Sequence, residues 1–230
     1  MPTQKYLNTD GVRLKGATTI IGNNLGWNKN TLMAWQAREF KSGNDPTDKS
    51  KKACDIGTLC HHYISCDFLK QDIDAEFKSK YDMNAILIAD KCLSETKKKF
   101  IEHGLELTHS ELSLVSEEYQ YGGTIDVVMK EGNVIVLGDI KTSNQSKSCP
   151  TGIYSDHIIQ LGAYDNLLIE NKIAIPEKYM FIHINKSPTI EDSDMVHIIT
   201  VPNATIKKGF EVFKLLKQLD TVNYMKELEI

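Results

Sequence analysis

No stretch of this 230-residue sequence is a continuous apolar run of the roughly 20 residues that span a bilayer. Its start, Met1 to Arg13, lacks the basic-then-apolar order of a secretion signal. Both absences predict a soluble, cytoplasmic chain with no membrane partner. Cysteine is scarce and unpatterned: Cys54, Cys60, Cys66, Cys92 and Cys149 are odd in number and include no CxxC, which argues against a disulfide framework or a zinc knuckle. The phosphate-loop pattern GxxxxGK[ST] is missing, so the chain is not expected to use ATP. Positive charge is not in excess either. With 27 Lys and Arg against 31 Asp and Glu, the net charge of −4 argues against coating nucleic acid by bulk electrostatics. Local basic clusters remain, Lys49, Lys51 and Lys52, then Lys97, Lys98 and Lys99, able to touch phosphates or simply to be solvated.

What is present suffices for an ordinary core. A hydrophobic fraction of 41% suits one domain over residues 1–230, helical to about residue 105 and sheet-bearing from about 106. The polar stretch Lys41 to Lys52, with Gly43 and Pro46, reads as a surface loop. Before it, Thr31 to Phe40 reads as a short helix capped by Asn30 or Thr31, with Leu32, Met33, Trp35 and Phe40 available to pack. After it, Ile56, Leu59, Cys60, Tyr63 and Ile64 recur at helical spacing and predict a helix from a capping Asp55 to about Leu69. Another is expected from about Ala85 to His103.

From Ser110 the period changes to two. Strands are expected at Glu111–Val115, Tyr121–Met129 and Asn133–Lys141, the last two joined by the turn Lys130-Glu131-Gly132-Asn133. A Pro- and Ser-bearing stretch, Thr142 to Gly152, leads into an amphipathic helix over Tyr154–Glu170. Strands at Tyr179–Ile184 and Met195–Val201 and a helix from near Asn203 complete the order. Helices, sheet, crossing helix, strands and helix predict an α/β fold with a central mixed β-sheet flanked by helices.

The hairpin carries the chemistry. With Lys130 opposite Asn133, Asp126 lies opposite Leu137 and Asp139 opposite Thr124. Leu137, Asp139 and Lys141 then share one face, joined diagonally by Asp126, which sets the two carboxylates roughly 5–8 Å apart. Two carboxylates and an ammonium among Ile125, Val127, Val134, Ile135, Val136 and Ile140 would repel and lose hydration unless a divalent cation joined them. Carboxylate oxygens, the Ile140 carbonyl and water match the hard-oxygen shell of Mg²⁺ or Mn²⁺. Such an ion activates water and polarises a phosphate, and Lys141 offsets the charge that grows on it.

The phrase Gly122-Gly123-Thr124-Ile125-Asp126, a twelve-residue interval, then Asp139-Ile140-Lys141-Thr142-Ser143 resembles the PD-(D/E)xK nucleases of the RecB-like exonuclease branch, a restriction-endonuclease-like fold. The resemblance implies that Asp126 and Asp139 bind metal and that Lys141 is catalytic. Three more segments are similar to that family. Gly57 to His61 resembles its G-x-x-x-H helix, implying His61 as a metal ligand, with His62 as the alternative and Gly57 giving substrate room to approach. Glu111 resembles its upstream glutamate at the metal site, with Glu117 and Glu118 competing for that place. Gln160 and Tyr164 match its Q-x-x-x-Y helix, with His157 one turn earlier, implying contacts to Lys141, to a DNA phosphate or to a base. The segment Thr18 to Ile21, followed by Leu32 and Trp35, resembles the opening of phage-type and mitochondrial genome-maintenance exonucleases.

Together these matches imply a Mg²⁺- or Mn²⁺-dependent DNA exonuclease acting on ends or single strands in replication, recombination or repair. The alternatives are a structure- or sequence-specific endonuclease on the same core and a non-catalytic nucleic-acid-binding or assembly module. Several relatives hold an iron–sulfur cluster through one upstream and three C-terminal cysteines; no cysteine follows Cys149, so no iron–sulfur cluster is expected. A helicase or recombination partner would be a separate protein.

Overall fold

The computed structural model describes residues 5–26, 29–143, 153–186 and 194–224, apart from the side chains of 223 and 224. A short antiparallel ladder, β1 (Tyr6–Leu7) with β2 (Arg13–Leu14), opens the chain. Helix α1 (Ala17–Asn24) follows, burying Ala17, Ile20 and Ile21, an i, i+3, i+4 stripe too short to stand out in the sequence. Helix α2 (Lys29–Lys41) buries none of its residues.

The loop expected from Lys41 to Lys52 is a correction. Helix α3 (Pro46–Leu69) starts inside it, because Asp45 accepts the Thr47 N–H at 2.7 Å and Pro46 occupies the first turn. Its opening turns are too polar to show a period, so Asp55 lies within the helix and does not cap it. After α4 (Ala75–Lys78), α5 (Met83–Glu102) is capped by Asp82, which accepts the Ala85 N–H at 2.8 Å.

Five strands form the main sheet in sequential order: β3 (Leu105–Ser116), β4 (Tyr121–Glu131), β5 (Val134–Ser143), β6 (Lys178–Asn185) and β7 (Val196–Val201). β5 and β6 run parallel and the other neighbours antiparallel. A parallel pair needs a long crossover, and α6 (Ser155–Glu170) supplies it. Helix α7 (Asn203–Tyr224) is the last described element. The architecture is the expected mixed sheet flanked by helices. One core joins its first face to α1, α6 and α7, and the other joins its second face to α3 and α5.

The hairpin register differs from expectation by two residues. Val127 faces Gly138 and Glu131 faces Val134, so the loop is Gly132-Asn133, with Gly132 at φ +61 supplying the left-handed turn. A shift of two keeps Asp139 and Lys141 on their expected face, where a shift of one would have inverted them. Thr142 and Ser143 extend β5, and the rest of the stretch to Gly152 lies outside the described residues, as does Cys149. Cys54, Cys60, Cys66 and Cys92 are free thiols. Among the described residues, no helix is long and apolar enough to cross a membrane.

Candidate active site

Residues two apart on a regular strand face the same way, yet Ile125 packs into the α1–α6–α7 core and Val127 into the α3–α5 core. β4 therefore turns over at Asp126. β3 does the same across the ladder: Glu111 lies between the pairs Leu112–Ile125 and Ser110–Val127 and takes φ +52, a conformation rare outside glycine. Such backbone costs of order 1–3 kcal/mol and persists where the surroundings enforce it. The result brings the Glu111 and Asp126 carboxylates out beside α3, which supplies His61.

His61 Nδ1 lies 3.4 Å from Asp126 Oδ1 and 3.6 Å from Glu111 Oε1. One ligand atom from each residue falls within 4.8 Å of the others. The ladder between β4 and β5 ends at Val127–Gly138. Beyond it the Asp126 side chain takes the place of a backbone partner, its Oδ2 accepting the Ile140 N–H at 2.8 Å.

Asp139 and Lys141 sit on the adjoining strand toward α6. Asp139 is fully buried, with Oδ2 2.7 Å from Lys141 Nζ. Gln160 joins the two: its Oε1 accepts from Lys141 Nζ at 3.1 Å, and its Nε2 donates to Asp139 Oδ1 at 3.2 Å. The same Nε2 donates to the Tyr164 hydroxyl at 2.8 Å, which fixes the amide from behind. The one-turn spacing of Gln160 and Tyr164 thus builds a support beneath Lys141, with Tyr164 itself buried. His157, in the first turn of α6, accepts the Tyr154 N–H at 3.2 Å through Nδ1, leaving the proton on Nε2.

Charge in the site is strongly polarised. Burial works against a charged His61, but Asp126 and Glu111 outweigh it and hold the imidazole at about 10. Burial would raise Asp126, yet His61, Lys141 and the Ile140 N–H bring it down to about 2. Burial pushes Asp139 up against the pull of Lys141, and the charge of Asp126 adds to the rise. Burial also opposes the Lys141 charge, but Asp139 and Asp126 together raise the ammonium above its ordinary value. Burial, reinforced by Lys141, lowers His157 to about 4.

Most of the residues singled out in the sequence meet here, in two adjoining groups: His61, Glu111 and Asp126, then Asp139, Lys141, Gln160 and Tyr164. Asp139 is not one of the three grouped ligand residues. His62 turns away and packs against Phe77, the two rings tilted by 40°. Glu117 and Glu118 lie at the far turn of β3, where Glu117 accepts the Thr9 N–H at 2.8 Å. Gly57 serves packing, since a Cβ there would come within 3.0 Å of Thr142 Oγ1 as α3 crosses β5. Lys97, Lys98 and Lys99 pair with Asp67, Glu95 and Glu102 at 2.6–2.7 Å. Lys49 pairs with Glu39. The sequence reading missed Tyr6, whose hydroxyl lies 3.0 Å from Thr124 Oγ1, itself 2.9 Å from Ser113 Oγ. Only the fold brings that distant residue to the strand, and no local pattern marks it.

No family model matches the chain, and no curated protein resembles it in sequence. Among solved structures, the chain is similar to an exonuclease candidate from Eubacterium rectale, with 11% identity, a TM-score of 0.50, and coverage of 74% of this chain and 68% of that one. An alkaline exonuclease from Laribacter hongkongensis overlaps 68% of this chain and 75% of its own at 16% identity and a TM-score of 0.35. Its complex with dAMP overlaps 76% and 90% at 13% identity and a TM-score of 0.37. The Laribacter structures superpose too loosely to bear on the fold. The first similarity agrees with a restriction-endonuclease-like architecture.

Proposed function

We propose that this chain is a Mg²⁺- or Mn²⁺-dependent deoxyribonuclease of PD-(D/E)xK type that hydrolyses phosphodiester bonds, with exonuclease action on DNA ends or single strands favoured. The observation that carries this reading is the convergence of His61, Glu111 and Asp126 beside the buried Asp139–Lys141 pair. The donor set fits a divalent cation: two carboxylate oxygens and an imidazole nitrogen within 4.8 Å of one another, where a bound ion would take the place of the His61 proton. Asp139 Oδ2 adds to the fit, because it is buried with no hydrogen bond of proper angle.

His61, Glu111 and Asp126 would hold the ion, with Asp139 and the Ile140 carbonyl at its edge. When bound, it would lower the pKa of a water and polarise the scissile phosphate. Lys141 holds its ammonium where the attacked phosphate gains charge, fixed in place by Asp139 and Gln160. His157 would offer its Nε2–H to a neighbouring phosphate.

The test is Mg²⁺-dependent degradation of end-labelled linear DNA by wild type, Asp126→Asn and Lys141→Ala, with circular DNA alongside. Wild type should degrade the linear substrate, spare the circle and lose at least about a hundredfold in rate in either variant. Equal activity in all three would expose a contaminant and end the reading. Nicking of the circle would move it to endonuclease.

A further inference from the structure

Ser143 closes the phrase Asp139-Ile140-Lys141-Thr142-Ser143 and has no part in the site so far described. It stands two residues beyond Lys141 on β5, about 6.6 Å further along the strand and on the same face. The parallel ladder with β6 stays regular to that point, pairing Lys141 with His183 and Ser143 with Asn185, so the face does not change between them. Ser143 is half-buried, and its Oγ lies 2.9 Å from His183 Nε2. His183 is wholly buried, and its Nδ1 has no hydrogen-bond partner.

The bond made and the bond missing decide which way the hydrogen bond runs. A neutral imidazole carries one N–H and one lone pair, and a charged one carries two N–H groups. A proton on Nδ1 would be a buried donor without an acceptor, which proteins avoid more strictly than a buried acceptor without a donor. The proton therefore belongs on Nε2, which donates to Ser143 Oγ. The hydroxyl proton of Ser143 then points elsewhere, and no other group engages it among the described residues. An oxygen that already accepts a hydrogen bond makes its own O–H a stronger donor. Ser143 is thus left with a proton to give, set by a residue behind it that is too buried to reach substrate.

Other donors face the same side of the sheet. Lys141 Nζ is one, and His157 is another: its ring meets Phe181 with centroids 6.2 Å apart, and Phe181 shares a face of β6 with His183. Asp156 Oδ1 lies 3.9 Å from His157 Nε2, too far for a hydrogen bond.

We propose that the Ser143 hydroxyl, oriented by His183, binds the phosphate next to the scissile one and so fixes the register of the strand at Lys141. The unbridged oxygens of a phosphodiester are charged acceptors, which suit a group whose remaining capacity is a proton. The contact touches backbone and no base edge, so it is indifferent to sequence. Ser143 meets substrate, and His183 acts through it as a positioning residue. This inference rests on the nuclease reading.

The test is the rate of cleavage of short DNA strands carrying one neutral methylphosphonate at a linkage neighbouring the one cut. Ser143→Ala should raise KM on unmodified DNA about tenfold, with a much smaller fall in kcat. Neutralising the contacted linkage should cost wild type about tenfold in kcat/KM and Ser143→Ala far less, so the two changes do not add. His183→Gln keeps an N–H near the place of Nε2 and should hold the wild-type KM, whereas His183→Leu should match Ser143→Ala. Thermal melts show whether each variant folds, and if His183→Leu does not, Ser143→Ala alone decides. A merely structural bond would lower the melting temperature and leave the methylphosphonate pattern as in wild type. That pattern, or a wild-type KM in Ser143→Ala, would overturn the inference while wild type still cuts DNA. A wild type that cuts no DNA with Mg²⁺ or Mn²⁺ would remove the nuclease reading and this inference together.

Discussion

Gln160 shows how one side chain can govern another's chemistry. Its amide touches Lys141, Asp139 and Tyr164 at once, so its orientation is fixed and Lys141 has little freedom to leave its place. Gln160→Leu keeps the volume and removes all three contacts. It is expected to lower kcat about a hundredfold with little change in KM, since small misplacements of reacting groups are costly. An unchanged kcat in single-turnover cleavage would show that Lys141 needs no such support. Sequence pattern already placed Gln160 one turn before Tyr164. It did not show that the amide would join Lys141 to Asp139, because that depends on how α6 crosses β5.

At the scale of elements, the packing of α6 on α7 leaves no room for one more carbon. A Cβ on Gly162 would lie 2.5 Å from the Phe210 nitrogen and 2.8 Å from the Ile206 oxygen, both backbone atoms that cannot swing aside. Gly162→Ala should therefore cost about 1–3 kcal/mol by overpacking. Gly22, also helical, has nothing within 4 Å of its built Cβ, and Gly22→Ala should instead stabilise by up to about 1 kcal/mol through helix propensity. Thermal melts that move in the same direction for both would contradict this packing. The fork between β4 and β5 belongs to the same scale. Period-two reading found both strands and the faces of Asp139 and Lys141, and its two-residue error in register was harmless to those faces. It had no means of seeing β3 and β4 turn over together at Glu111 and Asp126, since that inversion breaks the alternation on which the reading rests.

At the scale of the whole molecule, His61 couples stability to pH and to metal. Its folded pKa of about 10 lies above its ordinary value, raised by Asp126 and Glu111 against burial. The unfolded chain gives up that proton near 6.5. The stabilisation from charged His61 is thus fully present below about pH 6.5 and fades as pH rises toward 10. Metal-free wild type should lose melting temperature between pH 7 and 10, and His61→Gln should flatten that part of the curve. Mn²⁺ competes with the same proton for the imidazole, so its apparent affinity should rise over the same window. Melts at several pH values, with and without Mn²⁺, check this; a His61→Gln curve parallel to wild type would contradict it.

Composition and periodicity by themselves determined the order of the main helices and strands, the mixed sheet, and Asp126, Asp139 and Lys141 as a group, while Gln160 entered through the resemblance of its helix to the Q-x-x-x-Y pattern. Each of those follows from local spacing: alternation along a strand, one turn along a helix, a carboxylate among apolar neighbours. The tertiary structure decided which of them meet. His61, Glu111 and Asp126 come from a helix and two strands, and they converge because both strands invert at one level of the sheet beneath α3. It also separated Glu111 from Glu117 and Glu118, and His61 from His62. Such choices depend on contacts between residues far apart in the chain, and no local period records them.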